Sequence, residues 1–234
     1  MSNDHYFSAA PSASAATTER RVHLQGINYT VATQPGVFSH ERVDKGTAVL
    51  LDKVPVPEIG PGELAVDIGC GWGPITIALA AAVRDSLAQA REDNGSHDDV
   101  ADQGTATAAT QVWGVDVNER SRELTERNLK RAGLWEAPGL VSAVHTPETA
   151  FAALGERKVS LIWSNPPVRI GKEALHELLV SWLSVLSDDG VAYLVVQKNL
   201  GADSLQKWLQ GQGFSCEKLA SAKGFRILEA RRGA

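Results

Sequence analysis

The sequence predicts an α/β protein built on a doubly wound, mostly parallel sheet, preceded by a short N-terminal β-hairpin and helix. Three observations carry that expectation. From Leu64 onward, short apolar runs alternate with stretches of helical period, and parallel strands need crossover connections of this kind. A glycine-rich turn, residues 67–73 (DIGCGWG), sits where the first apolar run meets the first helical stretch. The 234 residues, 43% hydrophobic and 22% charged, suffice for one large domain with its own core.

The first 20 residues are small and polar and are expected to form a flexible arm. Residues 21–62 read as a cap. VHLQ (22–25) and INYTVAT (27–33) flank Gly26 with the alternation of half-buried strands. PGVFSHERVD (35–44) is a loop, KGTAVLLDKV (45–54) a short helix and PVPEIGPG (55–62) a linker.

The main unit, 63–234, opens with the buried strand LAVDI (64–68). A helix over 74–90 follows, with Pro74 suited to its first position. VWGVDV (112–117) is the second strand of this unit. Asn118 then caps a helix with acids early, Lys130 and Arg131 late, and Gly133 as the stop. LVSAVH (140–145) is the third strand, and a short helix runs from Thr146-Pro147 to Gly155. VSLIWS (159–164) is the fourth strand, followed by a helix over 172–186. VAYLVVQ (191–197) is the fifth, followed by a helix around 204–210. FSCEKLA (214–220) and FRILEA (225–230) close the chain as a hairpin. Residues 91–110 are polar, acidic and without period, and are predicted to be a disordered insertion.

Composition narrows the class of function. Net charge is −5, but residues 91–104 hold one Arg against five acids, so the other 220 residues carry only −1. An acidic appendage on a near-neutral body leaves RNA available as a partner. The longest apolar stretch, 75–83, has nine residues, against the roughly 20 needed to span a bilayer. No signal peptide is visible. Two cysteines without a framework and six histidines without metal spacing predict no metal and a soluble cytoplasmic protein.

Three motifs carry chemistry. In a dinucleotide-binding G-x-G-x-x-G pattern counted from Gly69, the third glycine would fall at residue 74, which is proline; the third glycine is Gly73. Asp67, two residues before Gly69, would repel a diphosphate. It suits a cationic ligand, such as the amino group of S-adenosylmethionine (SAM). Asp116, at the end of the second strand, is placed to accept both ribose hydroxyls of a nucleoside. Ser164-Asn165-Pro166-Pro167 closes the fourth strand. Residues before proline are pushed to extended dihedrals, so this turn has fixed carbonyl directions. The Asn165 side-chain oxygen and the Pro166 carbonyl can accept both hydrogens of a planar NH₂ group and aim its lone pair at an electrophilic methyl. Such alignment lowers a barrier by about 7–11 kcal/mol.

With those residues in place, the chain resembles class I SAM-dependent methyltransferases of the "small domain" family, nearest to the ribosomal small-subunit RNA guanine-N2 methyltransferases and their single-domain relatives. The resemblance extends to HYFS (5–8), PGVFS (35–39), VDKG (43–46), VQK (196–198) with Gly201, and KGFRILEA (223–230). It implies a seven-stranded Rossmann-like sheet with an antiparallel last strand. It also implies SAM near Asp67, Gly69, Gly71, Gly73, Asp116 and Asn165, with Asn165, Pro166 and Pro167 as the catalytic turn. Val168 stands where amino methyltransferases often carry an aromatic that stacks on the base. Phe38 or Trp72 is the candidate replacement. Arg169, Lys172 and Lys198 are candidate phosphate contacts at the mouth of the site.

The residues point to methyl transfer to an exocyclic amine, and the resemblance implies guanine N2 of ribosomal RNA as that amine, with ribosomal RNA or the small ribosomal subunit as partner. A protein glutamine N5-methyltransferase uses the same Asn-Pro-Pro device, and a non-catalytic SAM-binding ribosome-assembly module is the alternative outside the enzymes. A DNA adenine methyltransferase fits poorly, since 234 residues leave no room for a separate target-recognition domain.

Overall fold

The computed structural model describes residues 16–57, 59–93 and 108–233. HYFS (5–8), most of the expected N-terminal arm and the centre of the expected acidic insertion lie outside the described residues.

An antiparallel hairpin of β1 (Thr18–Leu24) and β2 (Ile27–Thr33) leads. Its two-residue loop, Gln25-Gly26, has positive φ at both positions, the geometry that matches the twist of paired strands. The expected arm is therefore too long. Register pairs Thr18 with Thr33, so 18–20 are strand. Their polar sequence, TER, shows no alternation because two of the three residues face solvent.

Helix α1 (Lys45–Lys53) follows, capped by Asp44. The central sheet then runs β3 (Leu64–Ile68), α2 (Pro74–Asp93), β4 (Thr110–Val115), α3 (Glu119–Arg131), β5 (Glu136–Ala137), β6 (Leu140–His145), α4 (Pro147–Leu154) and β7 (Val159–Ser164). It continues through α5 (Lys172–Leu183), β8 (Leu186–Gln197), α6 (Ala202–Gly211), β9 (Phe214–Ala222) and β10 (Phe225–Arg232). Strand order is β5-β6-β4-β3-β7-β8-β10-β9. Strands β6, β4, β3, β7 and β8 are parallel, and β10 runs antiparallel to both of its neighbours. Seven long strands appear as expected; the two-residue β5 adds an eighth at the edge.

Both faces of the sheet are covered. Leu50 of α1, Ile77 and Leu79 of α2 and Leu129 of α3 pack on one side. Leu154 of α4, Leu179 of α5 and Leu209 of α6 pack on the other. The hairpin is pinned to α3 by Asn128, whose Oδ1 accepts from Ala32 N at 2.7 Å and whose Nδ2 donates to Ala32 O at 2.9 Å and Trp72 O at 2.8 Å.

Several boundaries differ from the sequence reading, and β9 and β10 each run two residues further, to Ala222 and Arg232. β4 starts and ends two residues early, which leaves Asp116 just past the strand. The expected insertion of 91–110 begins inside α2, since 91–93 are helical, and Thr110 already belongs to β4. The helix expected over 172–186 stops at Leu183, and β8 begins at Leu186 instead of 191. The cause is a register shift between Val159 and Leu161. A bulged entry pairs Leu186 with Val159, and a Cβ at Gly190 would lie 2.9 Å from the Val159 carbonyl.

From β3 the chain winds through β4 and β6 to one side, then crosses to β7 on the other. The crevice at the carboxyl ends of β3 and β7 is a topological switch point, where ligands bind in open α/β sheets.

Candidate active site

The glycine turn follows β3. Gly69, Gly71 and Gly73 have φ of 79°, 59° and 93°, the left-handed region open to glycine. The amides of Gly69 and Cys70 donate to Val115 O at 2.8 and 3.1 Å, and that of Gly73 to Cys70 O at 2.9 Å. The Gly71 amide donates to Asp116 Oδ2 at 3.0 Å. These four N–H groups are spent inside the protein, so the turn is not the open amide cradle that a diphosphate needs. The glycines differ in purpose. Gly69 is exposed, and its Cβ position faces the Asn165–Pro167 turn at 3.8–3.9 Å. Gly73 is buried against α3, where a Cβ would lie 3.1 Å from Thr125 side-chain atoms.

Asp67 is fully buried at the end of β3. Its Oδ2 accepts from the Thr76 hydroxyl, in the first turn of α2, at 2.6 Å. Its Oδ1 is buried without a hydrogen-bond partner. Burial pushes the carboxyl up to about 7; the Thr76 hydrogen bond opposes this and the nearby Asp116 charge adds to it. Asp116 is itself raised by burial, against hydrogen bonds from the backbone of Asn118 and Gly71. Each of its oxygens accepts one amide, Asn118 N at 2.9 Å on Oδ1 and Gly71 N on Oδ2. That fixes the carboxylate and leaves lone pairs for a ligand. Two adjacent carboxyl groups held above their ordinary range, one with an orphan oxygen, fit a ligand carrying a cation and hydroxyls.

Across the crevice, Ser164 Oγ donates to Ile68 O at 2.7 Å and locks the end of β7 to β3. Asn165 is half-buried and lines the cleft with Phe38, Asp44 and Gly69. Its Nδ2 donates to Asp44 Oδ2 at 2.9 Å and to Thr47 Oγ1 at 3.2 Å. The Pro166 carbonyl accepts from Val168 N at 2.8 Å. With φ −74° and ψ 74° at Pro167, this is an inverse γ-turn. One Pro166 lone pair is therefore occupied; the residue itself is buried and, unlike Asn165, is not among those that line the cleft.

The other sequence-predicted residues separate clearly. Phe38 is 50% exposed at the cleft. Trp72 is 1% exposed, with its indole N–H donating to Ser39 O at 3.2 Å, and has no face to offer a base. Val168 is half-buried and packs against the core beneath α5. Arg169, in the 3₁₀ turn Val168–Ile170, and Lys172, which begins α5, are exposed. Lys198 is exposed just beyond β8. All three stand at the carboxyl end of the parallel strands. Sequence reasoning missed Asp44 and Thr47. The acid preceding a helix was visible as a cap signal, but its pairing with a residue 121 positions away was not. Among the described residues no helix is long and apolar enough to cross a membrane, and no three His, Cys, Asp or Glu side chains cluster for a metal.

The strand order, the acid-flanked glycine turn and the Asn-Pro-Pro turn together define a class I SAM-dependent methyltransferase domain. Within that class, the chain belongs to the family described as methyltransferase small domain, whose model matches residues 28–98 and 99–229. It is 28% identical over 234 residues to the uncharacterized protein YbxB of Bacillus subtilis, covering 98% of this chain and 99% of that one. It is 32% identical over 207 residues to ribosomal RNA small subunit methyltransferase C of Pseudomonas entomophila, covering 87% of this chain and 51% of the relative. Among solved structures, the T. thermophilus 16S rRNA N2 G1207 methyltransferase, in complex with AdoMet and guanosine, shares the fold at a TM-score of 0.66. That match has 21% identity and covers 95% of this chain and 52% of the other. The chain thus spans about half the length of the ribosomal RNA methyltransferases it matches, and nearly all of YbxB.

Proposed function

We propose that this protein transfers a methyl group from SAM to the exocyclic amine of a guanine in small-subunit ribosomal RNA. The observation that carries the reading is the Asn165-Pro166-Pro167 turn, set against Gly69 with the Asn165 amide nitrogen bound from behind by Asp44 and Thr47. The 32% identity to a ribosomal RNA methyltransferase supports the choice of RNA.

When bound, SAM supplies an electrophilic methyl on a cationic sulfur. Asp67 and Asp116 would hold its ammonium and ribose hydroxyls, and Gly69 would admit it to the backbone. An aryl amine has a delocalised lone pair and is a poor nucleophile. Asn165 Oδ1 accepts one of its hydrogens, so the nitrogen is turned toward the methyl. The new N–C bond takes the amine lone pair, and the departing sulfur keeps the old bonding pair. The amine then loses one proton to solvent. Phe38 offers the exposed face on which the base stacks, and Arg169, Lys172 and Lys198 contact phosphates. Because guanine N2 is paired in a duplex, the target is an unpaired or splayed nucleotide.

The test is purified protein with labelled SAM, offered small ribosomal subunits, naked ribosomal RNA and release factor. Label in a guanine of either RNA form supports the reading. Label in release factor with none in RNA overturns the RNA assignment and keeps the Asn-Pro-Pro mechanism, as a glutamine methyltransferase would show.

A further inference from the structure

Asn165 is oriented not by its own sheet but by α1, a helix outside it. A primary amide offers two donors at one end and an acceptor at the other, and its rotamer is decided by what it meets. What Asn165 meets is the Asp44 carboxylate, 2.9 Å from Nδ2, with Thr47 Oγ1 at 3.2 Å. An ionised carboxylate only accepts. Turning the amide round would set Asn165 Oδ1 against Asp44 Oδ2, two acceptors at hydrogen-bond distance. Both Nδ2 hydrogens are used by these partners, and Oδ1 is left as the free acceptor of a side chain that lines the cleft.

Asp44 is itself held firmly. The same Oδ2 accepts from Gly46 N at 2.6 Å and Thr47 N at 3.2 Å, as the N-cap of α1, and a helix N-terminus is a favourable seat for a carboxylate. The cap is backed from the sheet. A Cβ at Gly46 would lie 2.9 Å from both Asp44 Oδ2 and Phe225 Cε1, so only glycine lets the carboxylate and the β10 ring close on this turn together.

We infer that Asp44, with Thr47, is a positioning residue that sets the Asn165 amide so that its oxygen, and not its NH₂, faces the substrate amine. The inference rests on the function proposed above. It adds that the acceptor is created by a carboxylate that touches neither substrate nor methyl. With the amide reversed, donors would face donors and the amine would be left unaligned.

Three variants separate positioning from capping. Asp44→Ser keeps an N-cap oxygen but shortens the arm, so it withdraws from Asn165. Thr47→Val removes only the second acceptor at nearly constant volume. Asp44→Asn returns an oxygen to the position that serves all three donors. In the Asp44→Ser/Thr47→Val double variant, kcat for the methylated RNA falls at least about tenfold, since loss of alignment is a kcat effect. SAM Kd stays within about twofold and the melting temperature within a few degrees, and Asp44→Asn restores most of the lost turnover. In parallel, ¹⁵N NMR of the Asn165 side-chain amide shows slow proton exchange in the wild type and fast exchange in the double variant. Wild-type kcat in the double variant overturns the inference. So does a kcat loss matched by lost SAM affinity and stability with the Asn165 amide signals unmoved, which marks Asp44 as a structural cap alone. If the wild type methylates no amine substrate, the proposed function fails, and the amide exchange still decides whether Asp44 orients Asn165.

Discussion

SAM affinity should rise with pH across neutrality, and the reason lies in Asp67. The carboxyl is fully buried, Oδ1 has no partner, and its pKa stands at about 7. A ligand ammonium needs it ionised. The folded value lies above the unfolded value of about 3.9, so this group's contribution to the stability of the free protein is fully present below about pH 4. That contribution is lost as pH rises through about 7. Binding acts in the opposite sense, because the ligand favours the ionised form. At pH 6.0 about a tenth of Asp67 is ionised and at pH 7.5 about three-quarters, so the SAM Kd should fall about eightfold, or ~1.3 kcal/mol. Calorimetry at the two pH values measures this directly. Repeating pH 6.0 in buffers of different ionisation heat should reveal close to one proton released per SAM bound. The ligand's own amino group, titrating near pH 8, has lost only about a quarter of its protons at pH 7.5, which trims the gain without reversing it. Asp67→Asn should flatten the profile. Equal affinity at pH 6.0 and 7.5, or a wild-type slope in Asp67→Asn, would refute the assignment of Asp67 to the ammonium.

Asn165→Ala should leave SAM Kd within about twofold and lower turnover by roughly 10²–10³, the loss expected for one preorganised hydrogen-bonding group; single-turnover assays check it. Asn128→Leu should cost about 2–4 kcal/mol in urea unfolding, because it leaves the Ala32 amide and two carbonyls without their partner. Hydrogen exchange at Ala32 should accelerate with it. Arg169→Ala combined with Lys172→Ala should raise KM for RNA and flatten its salt dependence by up to about two phosphate contacts, with SAM affinity unchanged.

Local signals were read to the residue where the physics is local. Residues 27–33, 64–68, 140–145 and 159–164 are strands with the expected bounds, since apolar runs bounded by turns need no outside information. The Asn118 and Thr146 caps belong to the same class. β5 was invisible because two residues carry no period. The early start of β8 was hidden because LSDDG pairs through a bulge, where alternation fails. In the site, the turns at 67–73 and 164–167 announced themselves by glycine and proline. Their partners did not: Thr76 under Asp67, Asp44 and Thr47 behind Asn165, and Asn128 beneath the hairpin are ordinary polar residues. Tertiary contacts alone make them matter. Of the two rings weighed for stacking, Trp72 is packed in the core and Phe38 is exposed at the cleft; a ring beside a glycine turn reads the same in sequence whether it lines the cleft or plugs the core.

The segment between the hairpin and β3 contributes no strand to the main sheet, yet its loop and α1 carry Phe38, Asp44 and Thr47 to the cleft. The contacts of Asn165 with Asp44 and Thr47 span 121 and 118 residues, so the two walls of the cleft meet only when segments far apart in the chain have come together. The same division separates two parts of the cleft. The sheet and its glycine turn can stay fixed while the preceding segment, which brings Phe38, Asp44 and Thr47 to the cleft, is exchanged or lengthened. On the proposed reading, changes there alter the acceptor side of the cleft while the glycine turn stays as it is.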